Sequence, residues 1–490
     1  MFASITNAAR LAKQKRVIHT GPPGSNFIGD LTSVLAQRQP CFTVSPADVD
    51  VLSSPQQFYN ALLDGIRNAR RRVFISSLYI GMEDTELINT LHSALKSNES
   101  LRVDIHLDLN RSTRPGPSSP AKAVLPLVSA YPDRVNVFLF RSPKLKGFLA
   151  SLVPPRFNEG WGTWHPKIYG VDDDVMISGA NLNSSYFTDR QDRYLQFKSH
   201  AEFAQYCREF LHKSSTFSYR LLPPSLHSSE NYDLHWPDPH THPHHLESKA
   251  KRALSELQSA WIEKSRSRPP PSKTEVLLFP VIQAGQFGIR EEEQAVGLIF
   301  NQLAKNRTND ASTSPTVDLT SGYFGLSKLY QSFVLQSGVH TQLLCASPQA
   351  NGFYNAHGIS GRIPEAYTYL EQRFMRAAYG TNVLLKEWSR NGWTYHAKGI
   401  WIRPTPSSLP TMTLFGSTNL NSRSSNLDTE LSFIMTVPEI NTDKSALALR
   451  QKLQDEVQSL KRFAVPWRGE SRCVRMGTKV LVGLGVEGML

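Results

Sequence analysis

Two short segments of the chain place a lysine two residues after a histidine, in each case behind an aromatic residue. Residues 164–167 read WHPK and residues 395–398 read YHAK. Imidazole can act as a nucleophile, an acid or a base near neutral pH, and the lysine ammonium is a compact cation that suits phosphate oxygens. The two pairs, His165 with Lys167 and His396 with Lys398, therefore predict transfer of a phosphoryl group from a phosphodiester.

A second shared pattern follows each pair: small residues and then Asn-Leu-Asn-Ser, at 178–184 (SGANLNS) and 416–422 (GSTNLNS). Asn181 lies 16 residues after His165, and Asn419 lies 23 residues after His396. The additional residues fall in the Pro/Ser-rich stretch 403–412, which is typical of a longer hairpin loop. We expect both asparagine amides to support or bind phosphate oxygens.

Each histidine also needs a partner that fixes its tautomer. Asp192 follows His165 by 27 residues and Glu430 follows His396 by 34 residues, so both acids are candidates for this role. For Asp192, an ordinary surface carboxylate is the alternative interpretation.

The chain repeats a strand–helix–strand order around these motifs, which favours parallel strands joined by crossover helices. Strands are predicted at 73–81 and 101–109 in the first half and at 317–325 and 339–346 in the second. The connecting helices are predicted at 83–96 and 326–336.

At this point the residues resemble a known family. The spacing His165-x-Lys167-x4-Asp172, with Asn181 downstream, resembles the HKD motif of the phospholipase D superfamily. The stretch SGANLNSSYFTDRQDRYL, the strand SSLYIG and the second motif without its Asp are similar to eukaryotic phosphatidylglycerophosphate synthases. The resemblance implies an α/β fold of two phospholipase D-like repeats, each a mixed sheet flanked by helices, packed pseudo-symmetrically around one shared active site.

The resemblance also implies an activity. It predicts transfer of the phosphatidyl group of CDP-diacylglycerol to sn-glycerol 3-phosphate, through a phosphatidyl-histidine, as the first committed step toward phosphatidylglycerol and cardiolipin. His165 would be the nucleophile, with Lys167, Asp172 and Lys398 in the catalytic set. His396 would protonate departing CMP and then deprotonate the acceptor, although these two roles could be exchanged.

The second motif departs from the family pattern, because Arg403 stands where an intact motif has Asp. This puts an equal role for the two halves in doubt. The motif chemistry itself requires no cofactor and no set of metal ligands. Help from a divalent cation in binding the pyrophosphate substrate stays open.

The acceptor brings its own phosphate, so the site needs a further cation. Arg190, Arg193 and Arg423 lie just after the Asn-Leu-Asn-Ser segments and could bind this phosphate bidentately. Arg111 and Arg114 are candidates of lower rank. Solvated surface arginines are the alternative interpretation for all of them.

The chain divides into five predicted segments of its 490 residues. These are 1–40, a mitochondrial presequence and basic N-terminal segment; 41–222, the first domain with its motif at 165–195; 223–272, a His/Pro-rich linker and helix; 273–460, the second domain with its motif at 396–433; and 461–490, a basic C-terminal segment. Proline among the linker histidines favours a flexible connection over a metal site.

The net charge of +12 predicts an anionic partner: nucleic acid, a membrane surface or a phosphorylated substrate. Residues 143–157 (PKLKGFLASLVPPRF) mix cations with apolar residues, as an anionic membrane interface requires. The candidate contacts are Lys144, Lys146, Phe148, Leu149 and Leu152. An internal helix packed on the sheet is the alternative, and the C-terminal segment could dock on lipid or on the second domain.

Residues 1–29 carry four basic residues and no acidic one, which resembles a mitochondrial presequence, with a disordered basic tail as the alternative. We expect a peripheral protein on the matrix face of the inner mitochondrial membrane. Oligomeric state is not predicted.

Rival functions within the superfamily are a phospholipase D, a cardiolipin synthase and a nuclease. No nucleic-acid partner is expected, because the arginines cluster near apolar segments rather than among exposed aromatic residues. A catalytically inactive scaffold is disfavoured, since both His–Lys pairs survive. Residues 64–70 come close to the DGxxAR motif of membrane-embedded CDP-alcohol phosphotransferases, but they are one residue too long.

Overall fold

The computed structural model describes residues 27–83, 85–115, 119–148, 152–226, 228, 231–269, 271, 274–439, 443–484 and 488. Most of the predicted presequence, and Leu149 of the predicted membrane segment, lie outside the described residues.

The strands are β1 (Phe42–Val44), β2 (Val49–Leu52), β3 (Arg72–Ser76), β4 (Arg102–Asp108), β5 (Val135–Phe140), β6 (Ile168–Val171), β7 (Asp174–Ser178), β8 (Arg190–Gln191), β9 (Tyr194–Phe197), β10 (Tyr219–Leu222), β11 (Asp233–His235), β12 (Val276–Ala284), β13 (Ile289–Arg290), β14 (Thr316–Ser321), β15 (His340–Ala346), β16 (Val383–Trp388), β17 (Thr394–Tyr395), β18 (Gly399–Arg403), β19 (Met412–Gly416), β20 (Glu430–Thr436) and β21 (Ala464–Pro466).

The α-helices are α1 (Phe27–Arg38), α2 (Pro55–Arg67), α3 (Thr85–Ser97), α4 (Leu109–Ser112), α5 (Pro120–Ala130), α6 (Ser185–Thr188), α7 (Ala201–Ser215), α8 (Glu247–Arg266), α9 (Glu291–Lys305), α10 (Lys328–Ser337), α11 (Ile363–Ala377), α12 (Ser422–Asn426), α13 (Lys444–Lys461) and α14 (Met476–Gly483). Short 3-10 helices lie at Pro46–Asp48, Pro155–Trp161, Pro243–His245, Gly285–Phe287, Pro348–Ala350, Gly358–Arg362 and Gly469–Ser471.

Two mixed sheets carry the fold. The first has the order β11-β10-β5-β4-β3-β6-β7-β9-β2, and the second has the order β1-β12-β20-β19-β18-β14-β15-β16-β21. In each, three consecutive strands are parallel (β3, β4 and β5; β14, β15 and β16), and the hairpin that follows the His–Lys motif pairs antiparallel beside them. The predicted fold class and duplication are confirmed.

The predicted strands at 73–81 and 317–325 are shorter in the structure, ending at Ser76 and Ser321. The chain then turns out of the sheet, and a serine hydroxyl donates to a tyrosine carbonyl two residues on. The distances are 2.9 Å from Ser77 to Tyr79 and 3.2 Å from Ser321 to Tyr323. This turn leaves one tyrosine from each half at the end of a central strand.

Helix α2 illustrates how the helices cover the sheets. Ser54 caps its first turn by accepting from the Gln57 amide, and Pro55 occupies the first helical position, where its missing N–H costs nothing. Phe58, Leu62 and Ile66 recur at helical spacing and are fully buried. Burying each such side chain contributes about 1.5–3 kcal/mol.

The two halves share one aromatic core. Phe197 of β9 stacks on Phe415 of β19 with ring centroids 6.0 Å apart, and Phe203 of α7 meets Phe433 of β20 edge-on at 5.4 Å. These rings are fully buried and belong to one continuous apolar cluster. The strands that carry the two motifs are therefore held against each other.

Three strands pair across the expected domain boundaries. Strand β1 lies in the predicted first domain, yet it pairs with β12 of the second sheet. Strand β11 in the predicted linker extends the first sheet, and β21 in the C-terminal segment extends the second. Backbone pairing thus reaches across the sequence boundaries, because each edge strand needs a partner for its amides.

Candidate active site

The two His–Lys motifs meet through crossed backbone pairing between the halves. The amide of His165 donates to the carbonyl of Thr429 at 2.9 Å, and the amide of His396 donates to the carbonyl of Gln191 at 2.8 Å. Each histidine is therefore held beside the residue that precedes the acid of the other half. Sequence separation gives no hint of this exchange.

The acids follow the same crossed arrangement. His165 Nδ1 lies 2.8 Å from Glu430 Oε2, and His396 Nδ1 lies 2.6 Å from Asp192 Oδ2. The expected roles of the acids are met, but in place of the partner downstream in the same half, each histidine takes the acid from the opposite half. A carboxylate at Nδ1 keeps the proton there, so Nε2 of a neutral ring is the atom available for chemistry.

Both lysines lie in the same buried site. In the extended segments, His and Lys two positions apart point to one face, and each Nζ donates to its own histidine's carbonyl at 2.6 Å. Burial lowers the pKa of Lys167 to about 7 and that of Lys398 to about 8, against the attraction of Glu430 and Asp192 respectively. A phosphate group arriving here would restore their positive charge.

The two carboxylates differ because the repeat differs at the residues around them. Segments 178–192 and 416–430 align without a gap, so Gly179 corresponds to Ser417 and Tyr186 to Ser424. Both serine hydroxyls donate to Glu430, that of Ser424 at 2.7 Å. Gly179 contacts Asp192 without donating to it; a Cβ there would come within 2.4 Å of Asp192 Oδ1.

This difference separates the two acids electrostatically. Burial opposes ionisation of Glu430, but His165, Lys167 and the Ser417 hydroxyl overcome it and hold its pKa below the usual value. Burial raises the pKa of Asp192 to about 6, although Lys398 and the Arg193 amide favour its charged form. Glu430 is thus a fixed anion, whereas Asp192 can change charge near neutral pH.

The surroundings of the two imidazoles also differ. Tyr186 and Tyr323 meet the His396 ring edge-on, with centroids 5.2 Å and 5.4 Å away, and the Tyr186 hydroxyl lies 3.4 Å from Nε2. Burial, then the charges of Lys398 and Arg190, hold the pKa of His396 well below its usual value. Sequence analysis missed both tyrosines, although their places after the strand and the Asn turn were available signals.

Asp172 is not brought to the histidines. It occupies the turn between β6 and β7 with a φ of +52°, and its carboxylate accepts from the amides of Arg70, Arg71 and Arg72 at 2.8–3.0 Å. These bonds hold its pKa below the usual value against the effect of burial. Asp172 therefore anchors the start of β3 and does not belong to the catalytic set expected from the motif.

Arg403, in the place of the second motif Asp, makes a different anchor to the neighbouring strand. It pairs with Asp318 of β14, the strand that corresponds to β3, and its guanidinium also donates to Gln454 at 2.8 Å. In the first half the hairpin carboxylate accepts from main-chain amides at the start of β3, whereas in the second half a hairpin guanidinium pairs with a side-chain carboxylate of β14. The loss of the motif Asp therefore leaves the strand anchored.

The two asparagines support loops around the site. Asn181 accepts from the Leu78 amide at 3.3 Å and donates to the Tyr186 hydroxyl at 3.1 Å. Asn419 is buried, and its side-chain oxygen lacks a hydrogen-bond partner among the described residues. Asn181 is therefore already engaged, whereas the amide of Asn419 keeps hydrogen-bonding capacity.

The three candidate arginines differ in their hydrogen-bond partners. Arg193 is buried in a two-pronged bond to Glu456, both at 2.9 Å, and lies over the Trp401 ring at 3.8 Å. Arg423 donates to Asp428 at 2.9 Å. Arg190 donates to the Thr394 hydroxyl at 2.9 Å and lies 4.6 Å above the Tyr186 ring. The expectation that Arg193 binds a ligand is wrong, because its donors are used internally.

The lower-ranked arginines lie around Glu159. Arg111 stacks on the Tyr79 ring at 4.3 Å and lies 3.5 Å from Glu159, which also pairs with Arg114. Both arginines therefore share one carboxylate.

The predicted membrane segment is exposed where the structure describes it. Phe148 is 77 % exposed and Leu152 58 % exposed, whereas Leu145 between the lysines is buried. Lys146 is exposed, and Lys144 is half-buried in an ion pair with Glu247 at 2.9 Å. The segment therefore presents apolar side chains and one lysine, while Lys144 fastens it to α8.

The linker histidines form no metal-ligand set. Within the described residues, no group of three or more His, Cys, Asp or Glu side chains is arranged to hold a metal ion. Similarly, none of the helices in the described part of the chain combines the length and hydropathy needed to cross a bilayer.

Comparison with known proteins gives close relatives over nearly the whole chain, although no family model matches. CDP-diacylglycerol–glycerol-3-phosphate 3-phosphatidyltransferase of Saccharomyces cerevisiae is 34% identical over 470 residues, covering 91% of this chain and 88% of that protein. The protein of that name from Saccharomyces pastorianus is 34% identical over 482 residues (92% and 89%), and the human one, named mitochondrial, 33% over 455 residues (86% and 78%).

Among solved structures, phosphatidylserine synthase from Haemophilus influenzae Rd KW20 matches with a TM-score of 0.66 and 19% identity. The match covers 95% of this chain and all of that one. At this identity the likeness shows the fold alone.

Proposed function

The chain belongs to the family of CDP-diacylglycerol–glycerol-3-phosphate 3-phosphatidyltransferases, and we propose from its site how it performs their reaction. It transfers the phosphatidyl group of CDP-diacylglycerol to glycerol 3-phosphate, which releases CMP. The observation that carries the mechanism is the crossed pair of histidine–carboxylate bonds, which leaves two Nε2 atoms for chemistry at one site.

In the first step we assign His165 as the nucleophile. Nε2 attacks the phosphatidyl phosphorus, the phosphorus–oxygen bond to CMP breaks, and His396 gives its proton to the departing phosphate oxygen. Glu430 stays ionised beside Nδ1 of His165 and stabilises the positive charge that the ring acquires. The ammonium groups of Lys167 and Lys398 neutralise the nonbridging oxygens.

In the second step the acceptor attacks from the side on which CMP left. The glycerol hydroxyl gives its proton to His396, its oxygen attacks the phosphorus, and the bond to His165 Nε2 breaks. The proton released to CMP is thus replaced by one from the acceptor, and both histidines return to their starting forms.

Binding of the substrate brings about the protonation of His396 that the first step requires. In the empty site, burial and the positive charges of Lys398 and Arg190 hold the pKa of His396 low. A pyrophosphate brings compensating negative charge to the same place, so His396 takes up a proton as CDP-diacylglycerol binds. These lysines, arginines and histidines supply the charge stabilisation, so the mechanism calls on no cofactor and no protein-bound metal.

Arg190 is the best candidate to hold the acceptor phosphate. Unlike Arg193 and Arg423, it has no carboxylate partner within 4.0 Å among the described residues. Its charge reaches His396, since it lowers the pKa of that ring. A phosphate bound to Arg190 would place the acceptor beside its general base.

We propose that the protein docks peripherally on the matrix face of the inner mitochondrial membrane. Exposed Phe148 and Leu152 next to Lys146 give the combination that binds an anionic interface. The acid-free residues 1–29 agree with import into mitochondria. Replacing Phe148 by Asp should weaken flotation with cardiolipin-containing liposomes; Tyr379→Asp, at an exposed aromatic elsewhere, is the control. Equal flotation of both variants would contradict the assignment of this segment.

The activity is tested with purified protein, CDP-diacylglycerol liposomes and labelled glycerol 3-phosphate. Formation of phosphatidylglycerophosphate and CMP in equal amounts supports the proposal. Water in place of glycerol 3-phosphate tests for a phospholipase D, and phosphatidylglycerol in its place tests for a cardiolipin synthase. DNA in place of CDP-diacylglycerol tests for a nuclease. If one of these reactions is the faster one, the proposal is wrong.

A further inference from the structure

The internal repeat identifies which side of the site is built to receive an anion. In the gapless alignment of 178–192 with 416–430, Arg190 corresponds to Asp428, and Arg423 corresponds to Ser185. In the second half the resulting Arg423–Asp428 pair neutralises itself, and Asp428 also accepts from the Thr163 amide and hydroxyl at 2.9 Å. In the first half the position of Asp428 is taken by Arg190, which has no carboxylate partner within 4.0 Å among the described residues. The two halves therefore differ at this position: one holds an ion pair and the other an arginine without one.

The surroundings of Arg190 are those of a binding group rather than of a structural ion pair. Its polar neighbours include Tyr186, Tyr323 and Tyr79, Nε is held by Thr394, and its charge also favours the ionised form of Asp192, which lies more than 4.0 Å away. A largely buried guanidinium without a carboxylate is costly unless a ligand brings the counter-charge. Hydroxyl groups can donate to that ligand's oxygens as well.

Gly352 keeps the space in which these groups converge. A Cβ at this position would lie 3.0 Å from Arg190 Nη2 and 3.2 Å from the Tyr323 hydroxyl oxygen. The two donors thus approach one point on the backbone, and the Tyr323 ring at the same time contacts His396. Arg190, Tyr323 and His396 therefore border one small region.

We infer that this Arg190–Tyr323 region is a single phosphate subsite that two ligands occupy in turn: the phosphate of CMP in the first step and the phosphate of glycerol 3-phosphate in the second. The inference rests on the proposed function. Displacement at phosphorus is in line, so CMP leaves and the acceptor enters on the side opposite His165, next to His396. Both molecules carry a phosphate on that side, bonded directly to the leaving oxygen in CMP and three carbons away from the attacking oxygen in glycerol 3-phosphate. The two phosphates therefore do not fall on one point, and the subsite is the region beside His396 in which either of them can meet the Arg190 guanidinium. Arg190 is the cation there without a carboxylate partner within 4.0 Å among the described residues.

The shared subsite explains how the enzyme selects its acceptor. Water and glycerol lack the phosphate that would fill the subsite after CMP has left. Arg190 would remain unpaired with either of them in the transition state, which costs about 1–3 kcal/mol, or 5- to 150-fold in rate. Selectivity for a phosphorylated alcohol then follows because Arg190 has no carboxylate partner within 4.0 Å among the described residues.

The test compares two reactions of the full-length protein. Exchange of labelled CMP into CDP-diacylglycerol without acceptor reports the first step and its reverse, and transfer to glycerol 3-phosphate reports both steps. Inorganic phosphate is the probe, added to each reaction. A single subsite predicts competition with CMP in exchange and with glycerol 3-phosphate in transfer, with the same inhibition constant. Competition with one of them alone, or constants that differ more than about fivefold, would overturn the inference.

Variants make the test specific to these residues. Arg190→Gln should slow exchange and transfer to glycerol 3-phosphate about 10- to 100-fold each, abolish the phosphate inhibition and reduce the preference for glycerol 3-phosphate over glycerol. Tyr323→Phe should have the same effects on a smaller scale. Arg376→Gln, at an exposed arginine of α11, is the matched control. Normal exchange by Arg190→Gln would refute the shared use, whereas inactivity of the unmodified protein in both reactions would refute the proposed function instead.

Discussion

The crossing of the two acids makes a quantitative prediction about stability. Glu430 and His165 are separated by 265 residues, lie 2.8 Å apart and are almost fully buried, with 0% and 4% of the side chains exposed. A hydrogen bond to a charged group contributes about 1.5–3 kcal/mol. Replacing Glu430 by Gln also removes one of the two carboxylate oxygens that accept from the Ser417 and Ser424 hydroxyls, so the single substitution costs more than this bond alone.

A double-mutant cycle isolates the bond from those side effects. The free energy of unfolding is measured by urea denaturation for the unmodified protein, Glu430→Gln, His165→Ala and the double variant. We expect a coupling energy of about 1.5–3 kcal/mol for this pair and for Asp192 with His396. This readout does not depend on activity, which both histidine substitutions should abolish.

The controls are the two pairs in which the acid and the histidine come from the same half. Glu430 with His396, and Asp192 with His165, form no hydrogen bond, so their coupling should stay within about 0.5 kcal/mol. Coupling that is larger in these same-half combinations than in the crossed ones would refute the crossed arrangement.

Three further predictions follow from other residues of the site. Arg193→Ala leaves Glu456 buried without its cation and should cost about 3–5 kcal/mol of stability in thermal denaturation. Arg190→Gln should leave the melting temperature within a few degrees of that of the unmodified protein. A normal melting temperature for Arg193→Ala would contradict its internal role. Asp172→Asn removes charged acceptors of three amides and should lower stability by about 1–3 kcal/mol while the folded protein keeps its kcat; a large loss of kcat would return Asp172 to the catalytic set. The profile of kcat/KM for CDP-diacylglycerol against pH should fall as the pH rises above neutrality, because His396 is neutral in the empty site and must take up a proton as the substrate binds, and because Lys167 and Lys398 lose their charge at pKa values of about 7 and 8. A profile that stays flat between pH 7 and 9 would contradict these assignments.

The duplicated architecture could be predicted from the sequence because its signals are local. Alternation in the strand at 102–108 and helical spacing in 85–97 each lie within one short stretch, and the structure confirms both elements. The paired His–Lys and Asn motifs appear twice at similar spacing, which indicated one site made from two halves.

The crossed acids could not be predicted because they depend on how the halves pack. Asp192 and Glu430 are recognisable as candidates, but their partners are set by backbone pairing of β8 with β17 and of Thr429 with Trp164 across the interface. No spacing along the chain encodes that exchange.

The arginines show a different limit of sequence reasoning. Arg190 and Arg193 are three residues apart in one short segment, yet one borders the site and the other is fixed by Glu456 on α13. Consecutive side chains of an extended chain point in different directions, and the partners that distinguish them come from the other half. In the alignment of the two repeats Arg190 corresponds to Asp428, and this was the sequence signal that could have distinguished Arg190 from Arg193.

The central claim is that a histidine of one half carries the phosphatidyl group between donor and acceptor. The most direct measurement is to mix the protein with CDP-diacylglycerol labelled in the phosphatidyl group, without acceptor, quench it and locate the label by peptide mapping. We predict label on His165, its absence in His165→Ala, and its transfer to phosphatidylglycerophosphate when glycerol 3-phosphate is added before the quench. Label on His396, or an active protein that never carries label, would contradict the account.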